Sequence, residues 1–125
     1  MILDTNALSA FAGGEQAMLQ ILLAASRHQL PVIVLGEYRY GLKRSRERNA
    51  RERWLDELES VCDVLEITGT TARHYAQIRE ELRFKGTPIP ENDVWIAALA
   101  REHLVDIISK DSHFDYVEGI KRHAW

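Results

Sequence analysis

The sequence predicts an α/β fold in which a parallel β-sheet is flanked by α-helices, a three-layer α/β/α sandwich. Short apolar runs that suit strands alternate along the chain with amphipathic segments that suit helices. One run, Val-Ile-Val-Leu at residues 32–35, is continuous and β-branched, as is typical of parallel strands buried on both faces. Glycine and proline occur singly or in short turns. We therefore see no linker and expect one domain over residues 1–125.

The elements follow one another in the order that such a sheet requires. The predicted strands are residues 2–4, 32–35, 61–67 and 105–109, with a further strand near Ile120. The predicted helices are residues 7–11, 15–28, 36–42, 50–59, 71–83 and 93–102. Met18 and Leu22 lie on one face of the second helix because they are four residues apart. Thr70 or Thr71 is the expected N-cap of the fifth helix, and Asn92 is that of the sixth.

Composition limits the class of protein. Of the 125 residues, 46% are hydrophobic and 28% are charged, which favours a globular chain with a sizeable core over a disordered one. No apolar run approaches the ~20 residues of a membrane-spanning helix, and no signal peptide is visible. Cys62 is the single cysteine, so an intramolecular disulfide and a cysteine-rich zinc site are excluded. We expect a reduced, cytoplasmic protein without membrane association.

The basic residues are concentrated in one stretch. The net charge of −3, from 16 basic and 19 acidic residues, is unusual for a nucleic-acid binder, but the location of charge matters more than its sum. Residues 43–53, the basic stretch, contain six basic residues against two acidic ones: Lys43, Arg44, Arg46, Arg48, Arg51 and Arg53. One interpretation is a solvated helix face with pairs such as Glu47–Arg51. The other is a binding track for a nucleic-acid backbone, formed by Lys43, Arg44, Arg46 and Arg48.

Acidic residues recur where a predicted strand ends or the following helix begins. They are Asp4, Glu37, Asp93 and Asp111, with Asp115 one helical turn after the last. Ligands of parallel sheets bind outside the carboxyl ends of the strands, so we expect the four carboxylates to converge there. Their mutual repulsion would be relieved by a divalent cation, and carboxylate oxygens suit Mg²⁺ or Mn²⁺. Each acid could instead be a helix cap or a first-turn residue, and Asp115 could be only a surface residue.

Four segments carry motifs at characteristic spacing. They are Met-Ile-Leu-Asp-Thr-Asn at 1–6, Val-Leu-Gly-Glu-Tyr-Arg-Tyr-Gly at 34–41, Pro-Glu-Asn-Asp-Val-Trp-Ile-Ala-Ala at 90–98 and Ile-Ser-Lys-Asp-Ser-His-Phe at 108–114. In order, spacing and total length they resemble the PIN domain, and within it the VapC-type toxins of type II toxin–antitoxin pairs. The resemblance implies a PIN-like sheet flanked by helices and an acidic pocket that binds Mg²⁺ or Mn²⁺. It also implies endoribonuclease activity, often on tRNA or rRNA.

The resemblance assigns roles to individual residues. The family's catalytic and metal-binding acids match Asp4, Glu37, Asp93 and Asp111. Asn6 matches the polar residue beside the first acid, Ser109 matches the hydroxyl that supports the site, and Asp115 matches an acid that many members have. No catalytic acid is replaced, so we expect an active enzyme. Among the five histidines, His113 alone lies beside the predicted site in sequence.

The resemblance also implies partners, and it leaves one alternative open. An RNA substrate, a cognate VapB-type antitoxin and a second copy of the chain are expected, and DNA would be contacted only through the antitoxin. A phosphatase with the motif Asp-x-Asp-x-Thr is disfavoured because residue 6 is Asn. A non-catalytic interaction module, whose acidic pocket binds arginines of a partner, stays open. The two alternatives can be separated by experiment, because Mg²⁺ or Mn²⁺ restores RNA cleavage by a nuclease but not by an interaction module.

Overall fold

The computed structural model describes residues 1–125 and contains a five-stranded sheet with six α-helices, which confirms the predicted fold class. The strands are β1 (Ile2–Leu3), β2 (Gln29–Pro31), β3 (Asp63–Leu65), β4 (Ile107–Ile108) and β5 (Arg122–His123). The helices are α1 (Thr5–Ala12), α2 (Gln16–Ala24), α3 (Val32–Leu42), α4 (Arg48–Val61), α5 (Gly69–Lys85) and α6 (Glu91–His103). A 3₁₀ helix spans Ser112–Tyr116.

The strand order places a topological switch point at the centre of the sheet. The strands lie in the order β3-β2-β1-β4-β5, and every neighbouring pair is parallel. The chain passes from β1 outward through β2 to β3 and then returns to the other side of β1 with β4. Ligand sites in parallel sheets lie at such reversals, outside the carboxyl ends of the strands. Asp4 follows β1 and Ser109 follows β4, so both residues stand at this point.

The core holds α6 firmly against the sheet. Twenty-five buried apolar residues form one cluster, which includes both residues of β1 and both of β4. Residues 96–100 of α6 are all buried, and three of them are alanines, whose small side chains allow close packing. The N-terminal turn of α6, which carries Asp93, is thereby held at the sheet edge. None of the helices combines the length and apolar character needed to span a membrane.

The prediction of a strand at residues 32–35 was wrong. These residues form the first turn of α3, and β2 is the preceding segment Gln29–Pro31, which pairs with β1 and β3. Val34, Tyr38 and Leu42 are buried at intervals of four residues, which is helical spacing. A short apolar run suits a buried helix turn as well as a strand, and only the pairing of β2 decides between them. Glu37 consequently lies within a helix rather than after a strand.

The predicted helix caps were also wrong. Thr68, not Thr70 or Thr71, is the N-cap of α5, and the Thr71 hydroxyl accepts a hydrogen bond from the Thr68 backbone N–H at 3.0 Å. Pro90 is the N-cap of α6, so Asn92 lies inside the first turn and its side chain is available for other contacts. The predicted helix 15–28 is shorter, as α2 ends at Ala24, and the last strand lies at Arg122–His123 rather than at Ile120.

Candidate active site

Four different elements deliver the four predicted acids to the switch point. Asp4 follows β1 and is the N-cap of α1, and Glu37 lies on α3. Asp93 lies in the first turn of α6, and Asp111 is the N-cap of the 3₁₀ helix that follows β4. Burial is the main reason that the pKa of Asp4 is raised, and the nearby charges of Glu37 and Asp111 add to that shift. The charges of Asp111 and Asp4 likewise add to the raised pKa of Asp93. The structure therefore brings all four together at the carboxyl ends of β1 and β4.

Asp4 is the most deeply buried of these acids, with 4% of its surface exposed. One carboxylate oxygen accepts a hydrogen bond from the Thr5 backbone N–H at 2.7 Å. The other accepts from the Asn6 side-chain amide at 2.8 Å and from the Ser109 hydroxyl at 2.7 Å. Burial raises the pKa of Asp4, while the hydrogen bonds from Ser109 and Thr5 oppose that shift. Asp4 thus caps a helix and belongs to the acidic cluster at the same time.

Asn6 and Ser109 tie the loop after β4 to Asp4. The Asn6 amide also contacts the Ser109 hydroxyl at 3.2 Å, and its carbonyl oxygen accepts from the Lys110 backbone N–H at 3.0 Å. The Ser109 hydroxyl in turn accepts a hydrogen bond from the Asp111 backbone N–H at 2.9 Å. Two polar side chains therefore set the position of Asp111 relative to Asp4 across about a hundred residues of sequence.

Glu37 is held by two donors that the sequence analysis did not assign to the site. The Thr5 hydroxyl donates to one carboxylate oxygen at 2.8 Å, and the Asn92 side-chain amide donates to the other at 2.8 Å. Both oxygens of Glu37 are thus oriented, and the residue bridges α1 and α6. The available signal was that Thr5 directly follows Asp4 and Asn92 directly precedes Asp93.

Asp93, Asp111 and His113 form the more open part of the cluster. The imidazole Nδ1 of His113 lies 3.3 Å from a carboxylate oxygen of Asp93 and 2.9 Å from one of Asp111. Burial raises the pKa of Asp93 to about 6, and the charges of Asp111 and Asp4 add to the shift while His113 opposes it. One ligand atom from each of the three residues lies within 4.8 Å of the other two.

Asp115 does not join this group of three. Its carboxylate forms a bidentate pair with the guanidinium of Arg122, at 2.7 and 2.6 Å, and the hydrogen bond from Arg122 lowers the pKa of Asp115. The same guanidinium donates to the backbone carbonyl of Ser109 at 3.0 Å. Asp115 is therefore placed as the partner of an arginine that supports the Ser109 loop.

The basic stretch lies on the turn between α3 and α4 and on α4 itself, rather than on one helix face. The expected pair is present, because Arg51 contacts Glu47 at 3.2 Å, and Arg51 also donates to the backbone carbonyl of Ala12. The other five basic residues form no ion pair and no side-chain hydrogen bond. An open groove of about 330 Å³ runs from Glu37 to Ser45 in that turn.

Comparison with known proteins identifies the family. The family model described as "PIN domain" matches residues 1–120. The chain belongs to the PIN domain family. This PIN domain is 32% identical over 120 residues to ribonuclease VapC5 of Mycobacterium tuberculosis, which covers 94% of this chain and 87% of that one. It is also 32% identical over 104 residues to the tRNA(fMet)-specific endonuclease VapC of Salmonella typhimurium, covering 82% and 79% respectively.

Solved structures agree with this assignment of the PIN domain. The DNA-bound VapBC of Salmonella typhimurium matches with a TM-score of 0.85 and 28% identity, over 99% of this chain and 96% of that one. VapBC-5 of Mycobacterium tuberculosis matches with a TM-score of 0.76 and 26% identity, over 98% and 94%. The expected resemblance to the VapC-type group is confirmed.

The donor set of this PIN domain fits a divalent cation. Asp93 and Asp111 present carboxylate oxygens that lie within 4.8 Å of each other, and the buried Asp4 is close enough for its charge to raise the pKa of Asp93. The raised pKa values of Asp4 and Asp93 show that burial and mutual repulsion disfavour their charged forms, and a cation would relieve both effects. Carboxylate oxygens are ligands that hard divalent ions prefer.

Proposed function

We propose that this PIN domain is a Mg²⁺- or Mn²⁺-dependent endoribonuclease, the toxin of a VapBC-type toxin–antitoxin pair. The observation that carries the proposal is the convergence of four carboxylates from four elements at the switch point of the parallel sheet. Burial raises the pKa values of Asp4 and Asp93, and such perturbed acids are typical of functional sites. The similarity to proteins named VapC ribonucleases supports the same reaction class.

The proposed roles follow from how each side chain is held. Asp4, Asp93 and Asp111 would hold the Mg²⁺ or Mn²⁺ ion, which supplies charge stabilisation for the phosphate and a water of lowered pKa. Glu37 has both oxygens oriented by Thr5 and Asn92, so its carboxylate is suited to position a second ion or the attacking water. Asn6 and Ser109 keep Asp4 and Asp111 in place through direct hydrogen bonds.

The proposed path for the RNA backbone is the groove from Glu37 to the basic stretch. Lys43, Arg44, Arg46 and Arg48 are exposed and have no acidic partner, so their charge is available to phosphates. Replacing the four by Glu is expected to weaken RNA binding and to flatten its dependence on salt, because fewer counterions are released. Equal salt slopes for wild type and variant would leave the stretch as a solvated surface. We also propose tRNA or rRNA as the substrate class, and the similarity to a relative named a tRNA(fMet)-specific endonuclease supports tRNA.

A VapB-type antitoxin is the proposed partner. An apolar groove of about 400 Å³ lies between α2 and α4, and Leu23 and Val61 on its rim are 80% exposed. Such a groove suits the apolar face of a partner helix. An arginine of the partner could then pair with the acidic cluster in a bidentate manner. The similarity to the DNA-bound VapBC of Salmonella typhimurium and to VapBC-5 of Mycobacterium tuberculosis supports an antitoxin partner. We further propose that the toxin forms a homodimer and meets DNA only through the antitoxin.

The test is cleavage mapping of RNA by the purified chain with Mg²⁺, with Mn²⁺ and with chelator. We expect cuts at discrete positions with either ion and none in chelator. Asp93→Asn should abolish the cuts, whereas Asp56→Asn, a change at an exposed position on α4, should not. An antitoxin complex that forms normally while no ion restores cleavage would instead support the non-catalytic interaction module.

A further inference from the structure

His113 is the one histidine whose ring contacts the acidic cluster. Its side chain is 42% exposed, and its Nδ1 lies between a carboxylate oxygen of Asp93 and one of Asp111. Its backbone N–H donates to Asp111 at 2.9 Å, which fixes the carboxylate and the ring side by side. The other histidines do not contact these acids, and His123 is paired with Asp106 at 2.7 Å.

The spacing of the three side chains matches that of ligands on one ion. Neighbouring ligand atoms around an octahedral ion with bonds of about 2.1 Å stand about 3 Å apart. The two separations from the His113 nitrogen are 2.9 and 3.3 Å, and all three ligand atoms lie within 4.8 Å of one another. The group needs little rearrangement to bind a single cation through two oxygens and one nitrogen.

We infer that His113 is a nitrogen ligand of the metal site and that it biases the site toward a first-row transition ion over Mg²⁺. The inference rests on the proposed metal-dependent nuclease and adds a ligand that the four acids do not include. Mg²⁺ is held almost entirely by oxygen, whereas imidazole increases affinity for transition ions. Mn²⁺ is the sharpest probe, because it shares with Mg²⁺ the preference for carboxylate and water.

A competing account is that His113 acts as a cation. An imidazolium between two carboxylates would neutralise them and would compete with any metal ion. The two accounts predict opposite effects of removing the ring. Loss of a ligand lowers affinity for Mn²⁺ more than for Mg²⁺, whereas loss of a competing cation raises affinity for both ions.

The experiment measures binding of Mg²⁺ and of Mn²⁺ to the purified chain by calorimetry, and nitrogen modulation of the Mn²⁺ electron spin echo. The variants are His113→Ala and His113→Asn, with His103→Ala as the control at the opposite end of α6. We expect His113→Ala to lower Mn²⁺ affinity about tenfold or more, to change Mg²⁺ affinity much less, and to remove the nitrogen modulation. His103→Ala should behave as wild type.

Several outcomes would overturn the inference. They are absent nitrogen modulation in the wild type, modulation retained in both His113 variants, equal losses for the two ions, and a gain for both. His113→Asn keeps a polar side chain at a half-exposed position, so it serves if the alanine variant does not fold. RNA cleavage that persists in chelator would refute the proposed metal dependence of the nuclease. If the chain binds metal through nitrogen but does not cleave RNA, the proposed nuclease activity is refuted while the His113 ligand stands.

Discussion

The two halves of the acidic cluster treat their carboxylates differently. The Asp4 corner (Asp4, Asn6 and Ser109) is buried, and the protein's own donors make three hydrogen bonds to Asp4. In the Asp93 edge (Asp93, Asp111 and His113), the Asp93 carboxylate has a single side-chain partner, 3.3 Å away. Burial raises the pKa of both Asp4 and Asp93, because the charged form of each carboxylate is less favourable in the folded protein than in water. Asp4 is thus oriented mainly by the protein's own donors, whereas Asp93 has more of its oxygen lone pairs free for a further ligand.

The largest expected effect is loss of cleavage when either half loses its charge. Asp4→Asn and Asp93→Asn should each lower the rate of RNA cleavage by about two to three orders of magnitude, because each removes a carboxylate that is proposed to hold the metal ion. Their melting temperatures should differ. Asp93→Asn removes repulsion between carboxylates, so its melting temperature should equal or exceed that of wild type. Asp4→Asn replaces an acceptor oxygen by an amide N–H₂ group that faces other donors, so its melting temperature should be lower.

Cleavage rates and thermal melting of the two variants, side by side in chelator and with Mg²⁺, check this contrast. Asp56→Asn is the matched control. A fall of many degrees for Asp93→Asn would show that the Asp93 edge is as structural as the Asp4 corner.

The next effect is expected at Ser109, whose hydroxyl joins the two halves. Ser109→Ala removes one of the two donors to an oxygen of Asp4 and leaves the Asp111 backbone N–H without its acceptor. The free energy of unfolding should fall by about 1–3 kcal/mol, as measured by urea denaturation. The exposed Ser60→Ala should change it little. If both serine variants unfold alike, the Asp4 corner does not depend on this hydroxyl.

A smaller effect is expected in the pH dependence of the metal-free chain. The pKa of Asp93 is about 6 in the folded state, whereas its ordinary value, taken for the unfolded chain, is 3.8. Between pH 3.8 and about 6 the folded chain therefore binds more protons than the unfolded chain. The contribution of Asp93 to stability therefore falls as pH rises from about 4 to about 6, by on the order of 1–2 kcal/mol after solvent screening. Asp93→Asn should lack this fall.

Urea denaturation of wild type and Asp93→Asn in chelator at pH values across this range measures the difference. We expect the variant to be the more stable near pH 7 and the two chains to converge near pH 4. A constant difference would mean that Asp93 titrates alike in the folded and unfolded chains.

The smallest effect is expected at Arg122, which supports the Ser109 loop from outside. Arg122→Ala removes the bidentate pair with Asp115 and the hydrogen bond to the Ser109 carbonyl. Because the pair is close to the surface, stability should fall by only about 0.5–1 kcal/mol, with a modest loss of cleavage. Arg122→Lys should recover little, since lysine lacks the planar fork. If Asp115→Asn lowers the rate of RNA cleavage as much as Asp93→Asn does, Asp115 is itself a metal ligand and not only the partner of Arg122.

Long-range contacts were beyond prediction from the sequence. The Asn6–Ser109 hydrogen bond joins residues 103 positions apart, and the Asn92–Glu37 bond joins residues 55 positions apart. The local sequence pattern predicted Asn92 as the N-cap of α6, but Pro90 is the N-cap, and the side-chain amide of Asn92 is therefore free to bind Glu37. The apolar run at residues 32–35 likewise suits both a strand and a helix. Because Gln29–Pro31 forms the strand that pairs with β1 and β3, residues 32–35 follow it as the start of α3.

The sequence by itself determined the α/β class, the family and the identity of the four acids. Asp4 and Asp111 follow strands that end at one edge of the parallel sheet, and Glu37 and Asp93 lie on helices that reach the same edge, so errors in the predicted element boundaries did not change which acids converge. Only the tertiary structure decided which acids the protein's own donors satisfy. It paired Asp115 with Arg122, oriented Glu37 through Thr5 and Asn92, and set His113 between Asp93 and Asp111. These contacts depend on side-chain direction and on separations of a few ångströms, which spacing along a chain does not encode.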